Sequence, residues 1–254
     1  MLRIISLCSF KFSFKKILIF FSIQLSIYVY MKKKFSNIKV CAFDAYGTCF
    51  DINSAAETIK NKIGNSWLDF SNTWRTTQLE YTWLRTLMKK HADFWKITKD
   101  SLNYSMKIHN INTKYKKELL SLYKNLSVYP ELKQTLQELK RKKIKTCILS
   151  NGTPSLLKHL VNNANIENLF DSIISIEKIK IYKPDPKVYK LVTDRFKCKP
   201  SQVCFLSSNS WDVVGSGFYG FQSVWVNRAN KTFDNLDYYP KAIFKNLYEL
   251  NKFI

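Results

Sequence analysis

Acidic residues are scarce in this 254-residue chain, where 19 Asp plus Glu stand against 41 Lys plus Arg for a formal net charge of +22. Such an excess raises the question of nucleic-acid or anionic-membrane partners. The basic residues are spread along the chain with no long tract in its body, and no nucleic-acid motif accompanies them. They read as a solvated basic surface that also draws in an anionic substrate. Histidine is rarer still: His91, His109 and His159 sit in helical stretches with no partner motif and are given no catalytic role. Paired cysteine spacing is missing as well. The six cysteines, at positions 8, 41, 49, 147, 198 and 204, lie far apart, which excludes a zinc site and the disulfide framework of a small secreted domain. Cys41, Cys147 and Cys204 fall in predicted strands as small core residues, and a reducing compartment, the cytoplasm, fits them.

A long apolar run is absent too. Lys15-Lys16 precedes an apolar stretch over residues 17–30, interrupted by Ser22, Gln24 and Ser26 and followed by Met31-Lys32-Lys33-Lys34. A bilayer span needs ~20 residues, and no small-residue cleavage site is evident. The expectation is translation from Met31, with residues 1–30 as an upstream extension. If translated, that extension is expected to be a membrane-associating helix with basic flanks. Elsewhere, 46% hydrophobic residues suffice for a substantial core, so disorder is not expected.

What the chain does have begins at Asp44. It ends the apolar run Val40-Cys41-Ala42-Phe43 and is followed by Ala45-Tyr46-Gly47-Thr48. A carboxylate at the C-terminal tip of a buried strand sits where open α/β sheets collect ligands, and Gly47 lets the chain turn there. The alternative for Asp44 is a turn cap. Three later segments also place polar groups where an apolar strand stops: Ile148-Leu149-Ser150-Asn151-Gly152-Thr153-Pro154, Tyr182-Lys183-Pro184-Asp185-Pro186 and Cys204-Phe205-Leu206-Ser207-Ser208-Asn209-Ser210-Trp211-Asp212. Thr153-Pro154 is a helix start, with Thr as N-cap and Pro at the first position. Lys183, before a proline, should be extended, with its ammonium near Asp44 to keep a carboxylate ionised. Asp212 can orient a water or take its proton, or can serve as a first-turn acid favoured by the helix dipole.

From residue 128 onward helices and strands alternate. Helices are expected over 131–142, 154–163, 186–196 and 209–218, and strands over 145–149, 172–175, 203–206 and 223–226. The pattern predicts an α/β fold with a Rossmann-like parallel sheet and right-handed crossovers. The core is expected over 36–51 and 128–254, with a helical cap inserted over 52–127. Within that insertion Trp74, Tyr81, Leu84 and Met88 share one face, read as packed on neighbouring helices, while Arg75 and Leu79 share another.

The ordered segments resemble the haloacid dehalogenase superfamily and, within it, the L-2-haloacid (type II) dehalogenases, over roughly residues 39–251. Thr73-Trp74-Arg75-Thr76-Thr77-Gln78-Leu79-Glu80-Tyr81-Thr82-Trp83-Leu84-Arg85 is similar to that family's arginine-bearing cap helix. The resemblance implies a cofactor-free, metal-independent hydrolysis of (S)-2-haloacids to (R)-2-hydroxyacids. Asp44 would attack C2, halide would leave toward Arg75, and water activated by Asp212 with Lys183 would cleave the resulting ester. Thr48 and Asn209 would steady the oxyanion, while Tyr189 and Ser207 would order the lysine and carboxylates. Ser150 and Asn151 would hold the substrate carboxylate, and Tyr46, Leu79, Phe94 and Trp211 would form apolar walls. The resemblance also implies a homodimer. Two other readings stand beside it: a magnesium-dependent phosphatase of the same superfamily, and a basic binding protein on this scaffold. Tyr46 argues against the first, because those phosphatases resemble Asp-x-Asp, whose second carboxylate protonates the leaving group. The weak provision of carboxylates in Ser207-Ser208-Asn209 points the same way. The intact set of polar positions argues against the second.

Overall fold

A computed structural model describes residues 35–254. The expectations for the extension, for Met31 and for Cys8 lie outside the described residues. Strand β1 (Val40–Phe43) is buried along its whole length. It is the middle of a six-stranded sheet with β4 (Lys145–Ser150), β5 (Ser172–Ser175), β6 (Val203–Ser207), β7 (Gln222–Val226) and β8 (Ala242–Phe244), in the order β5-β4-β1-β6-β7-β8. Every pairing in it is parallel. The register places Phe43 beside Ile148 and Leu206, so the ends of β4 and β6 flank the end of β1. The strand order turns outward in both directions from β1. That makes a crevice at the C-terminal ends of these three strands, where such sheets bind ligands.

The helices between the strands form for local reasons. In α6 (Leu132–Arg141) Leu132, Thr135, Leu136 and Leu139 recur at spacings of three and four residues, share one face and are buried. In α7 (Pro154–Asn163) the Thr153 side chain accepts from Leu156 N–H, with Pro154 in the first turn. The same device starts α8 (Pro186–Phe196), where Asp185 accepts from Lys187 N–H ahead of Pro186. Helix α9 (Ser210–Phe218) follows β6 directly.

Between β2 (Phe50–Asp51) and β3 (Ser127–Val128) the chain is helical, with α1 (Ser54–Thr58), α2 (Lys60–Ile63), α3 (Trp67–Leu87), α4 (Phe94–Ile108) and α5 (Lys116–Lys124). β2 and β3 pair antiparallel, Phe50 with Val128, so the insertion leaves and rejoins the core at one point. These two short strands and β8 were not expected. The apolar face proposed for α3 is corrected in part. Trp74 is buried, but Leu84 is 49% and Met88 58% exposed. Ser71, Thr77, Gln78 and Thr82 take buried positions instead. A hydrogen-bonded polar cluster, in place of an apolar seam, fills part of the interior there.

Among the described residues no helix is long and apolar enough to cross a membrane. The five described cysteines are free, and four of them are buried.

Candidate active site

Asp44 leaves β1 with its N–H on Leu206 O at 2.9 Å, which fixes the carboxylate at the crevice floor. The turn after it depends on Gly47, whose φ of +90° suits glycine. Gly47 N–H closes this turn on Phe50 O at 2.7 Å. The two carboxylate oxygens have different company. Asp44 Oδ2 accepts from Thr48 Oγ1 at 3.1 Å and Asn209 Nδ2 at 2.9 Å, whereas Oδ1 accepts from Lys183 Nζ at 3.0 Å. Thr48 is itself oriented, because its Oγ1 accepts from Ser208 N–H at 2.8 Å. Ser207 Oγ accepts from Asn209 N–H at 3.1 Å and so shapes the turn that carries Asn209.

Lys183 is fully buried and bridges two carboxylates, reaching Asp212 Oδ2 at 2.8 Å as well as Asp44. Burial alone would lower its pKa, but the charges of Asp212 and Asp44 outweigh that and hold it above its ordinary value, so it is an ammonium. Asp212 Oδ1 accepts from Tyr189 Oη at 2.8 Å. Burial raises the Asp212 carboxyl above the usual range; Lys183 pulls it down, Asp44 pushes it up and Tyr189 pulls it down. A carboxylate of raised basicity next to a nucleophile is suited to take a proton from water. Burial, with Asp212 beside it, pushes the Tyr189 phenol well up, so it stays a neutral donor.

Arg75 reaches the site from α3. Its Nη1 donates to Gln78 Oε1 at 2.9 Å, and its Nη2 makes long contacts of 3.4 Å to Tyr46 O and Asn209 Oδ1. The Tyr46 ring lies between Phe94 at 5.1 Å and Tyr123 at 5.7 Å, giving the site an aromatic wall. Tyr46 Oη and Arg75 Nε are buried with no hydrogen-bond partner among the described residues. Each is a donor left for an acceptor atom that these residues do not supply.

Ser150 Oγ accepts from Gly152 N–H at 3.1 Å, leaving the hydroxyl proton to donate elsewhere. Asn151 Oδ1 accepts from Lys183 N–H at 3.1 Å, so Asn151 also positions the lysine. Phe94 N–H approaches Glu177 Oε1 at 3.4 Å. Leu79 is half-buried on α3, one turn from Arg75. Trp211 packs edge-on against Trp83 of α3 at 5.4 Å. It also lines an apolar pocket of about 570 Å³ with Pro184, Pro186 and Phe218. Of the histidines, His91 meets Glu177 at 3.1 Å and stacks on Tyr182, His109 bonds Thr73, and His159 bonds Asn125 on the surface.

Several supporting residues escaped the sequence reading. Arg228 Nη2 donates to Thr48 O at 2.9 Å while its Nη1 pairs with buried Glu131 at 2.6 Å, which pins the turn after Asp44. Gln78 was missed as well, although its place three residues after Arg75 on one helix face is a signal that could have found it. Gly215 is required by contact: a Cβ there would lie 2.6 Å from Pro184 Cβ and 2.7 Å from Tyr189 Oη.

A family model for haloacid dehalogenase-like hydrolases matches residues 38–215. The chain is 44% identical over 196 residues to (S)-2-haloacid dehalogenase 1 of Pseudomonas sp. (strain CBS-3), covering 76% of this chain and 86% of that protein. It is 40% identical over 194 residues to (S)-2-haloacid dehalogenase 4A of Burkholderia cepacia, covering 76% and 84%. A solved structure of L-2-haloacid dehalogenase from Xanthobacter autotrophicus with chloropropionic acid covalently bound matches with a TM-score of 0.79 at 31% identity, over 85% of this chain and 97% of that one.

Proposed function

This chain belongs to the haloacid dehalogenase-like hydrolases, and from that membership we propose that it hydrolyses (S)-2-haloacids to (R)-2-hydroxyacids through an ester on Asp44. The observation that carries the reading is the unequal solvation of the Asp44 oxygens. Oδ1 has one partner, the Lys183 ammonium, and keeps a lone pair for attack; Oδ2 has two donors, Thr48 and Asn209. Oδ1 attacks C2 opposite the halogen, the carbon–halogen bond breaks, and halide departs with the bonding pair toward Arg75. Backside attack inverts C2. Ser150, Asn151 and the positive end of α7 hold the substrate carboxylate.

Water then adds to the Asp44 carbonyl carbon and gives its proton to Asp212. Charge gathers on Oδ2, where Thr48 and Asn209 already donate, so the same two groups serve as the oxyanion site. Collapse expels the hydroxyacid oxygen, which recovers the proton from Asp212, and Asp44, now carrying one oxygen from water, releases the second water proton to solvent to regain its carboxylate. The cation between the two carboxylates is the Lys183 ammonium, at 3.0 and 2.8 Å, which supports a metal-independent reaction. The helical insertion acts as the cap, supplying Arg75, Leu79 and Phe94 as the roof. Tyr46 and Trp211 complete its apolar walls and limit water at the carboxylate.

The reading also carries a homodimer working in the cytoplasm. Exposed Leu84, Leu87 and Met88 at the end of α3 support a contact through the cap, and the free cysteines support a reducing compartment.

Halide release from racemic 2-chloropropionate by the full chain, with EDTA present, tests the function. Release that consumes only the (S) form, yields (R)-lactate and disappears in Asp44→Asn is expected. No halide, together with magnesium-supported cleavage of phosphate esters, would replace this reading with the phosphatase one.

A further inference from the structure

Gln78 is almost wholly buried in the insertion, 1% exposed, and it is the shortest side-chain partner of Arg75. A guanidinium only donates, so the amide oxygen must face Arg75 and the amide nitrogen must face away. That nitrogen donates to Thr98 Oγ1 at 2.7 Å and approaches Tyr123 Oη at 3.0 Å. Thr98 in turn commits its proton to Phe94 O at 2.7 Å, leaving its oxygen to accept. The amide cannot flip without setting its oxygen against an acceptor and its nitrogen against a guanidinium. Three helices thus fix one side chain, and that side chain fixes the direction of Arg75.

Its neutrality matters as much as its geometry. Arg75 makes no salt bridge among the described residues. A glutamate at 78 would point the guanidinium equally well but would cancel much of its attraction for an anion in this dry interior. It would also place a carboxylate oxygen against Thr98 Oγ1. Glutamine aims the positive group and leaves its charge unspent. Tyr123, the third member, stacks on Tyr46 at 5.7 Å, so the same network sets the aromatic wall beside the guanidinium.

We infer that Gln78 is a positioning residue that holds Arg75, uncompensated, at the leaving-group end of the site, and that it thereby sets which halogens the enzyme can expel. The inference rests on the dehalogenase reading above. Electrophilic assistance matters most for the poorest leaving group, so loosening Arg75 should hurt chloride departure more than bromide departure.

The test compares kcat and KM for (S)-2-chloro- and (S)-2-bromopropionate, and inhibition by free chloride, in wild type, Gln78→Leu and Gln78→Glu. Both variants are expected to raise the bromo-to-chloro ratio of kcat/KM about tenfold, a fraction of what deleting a direct donor costs. They should also weaken chloride inhibition and leave single-turnover hydrolysis of the Asp44 ester unchanged. A purely structural glutamine would lower both substrates by one factor; an unchanged ratio therefore overturns the inference. If neither variant folds, Thr98→Val, which removes the nearer of the amide nitrogen's two acceptors at nearly constant volume, is expected to move the ratio in the same direction, and no movement overturns the inference equally. Wild type that releases neither halide would instead defeat the dehalogenase reading itself.

Discussion

Asp212 is fully buried, and the first cause acting on it is the loss of water, which raises its carboxyl; Lys183 opposes this and the negative charge of Asp44 adds to it. Once Asp44 is esterified that charge is gone, while burial, Lys183 and Tyr189 remain. Asp212 should therefore lose its proton more readily after the first step than before it, when a base is needed for water. Two values follow, with a fixed order. In the free enzyme Asp212 should titrate above the ordinary carboxylate value of 3.8. Infrared difference spectra of wild type against Asp212→Asn would show it. In the ester form, activity needs the ionised carboxylate, so single-turnover hydrolysis should fall as pH drops through a value lower than that of the free enzyme. An upward shift on esterification would contradict this view of Asp44, Lys183 and Asp212. In the free enzyme both carboxylates hold Lys183 above its ordinary value, and in the ester form Asp212 remains beside it at 2.8 Å.

Elements bring these residues together through contacts of very different legibility. Asp44, Ser150 and Ser207 each stand at a strand end marked by an apolar run and a turn, and the strand and helix signals around them are local. The predicted helices at 154–163 and 186–196 coincide with α7 and α8, because Thr153-Pro154 and Asp185-Pro186 specify their starts within two residues. The partners of Gln78 lie 20 and 45 residues away, and Arg228 reaches Thr48 from 180 residues away, so no local pattern announces them. Leu84 and Met88 misled for the same reason. Helical spacing says which residues share a face, not whether another element covers it.

Gly215 is the sharpest case at this scale. It lets α9 approach the Lys183-Pro184 segment and Tyr189 so closely that no Cβ fits. Gly215→Ala is expected to cost about 1–3 kcal/mol of stability through overpacking, and to slow ester hydrolysis by separating Tyr189 from Asp212. Thermal unfolding alongside single-turnover rates would check both. A variant with unchanged hydrolysis would mean that the approach of α9 does not govern Asp212.

At the scale of the whole molecule, the strand order gathers into one crevice groups that are far apart in sequence. In the proposed reaction the end of β1 supplies the nucleophile, the end of β4 the carboxylate-binding turn, and the end of β6 with α9 the oxyanion donor and the base. The insertion departs and returns through the β2–β3 pair, so a large helical unit is added beside the Asp44 turn without disturbing the sheet. The net charge of +22 gives the molecule a positive field that favours arrival of an anionic substrate. The central claim is that Asp44 is alkylated and then hydrolysed at its own carbonyl. It is tested most directly by a single turnover of (S)-2-chloropropionate with the full chain in excess, in heavy-oxygen water, followed by mass spectrometry of lactate and of the peptide containing Asp44. The expected result is heavy oxygen in Asp44 and ordinary oxygen in the lactate. Heavy oxygen in the lactate with Asp44 unlabelled would show that water attacks C2 directly, and would contradict the ester.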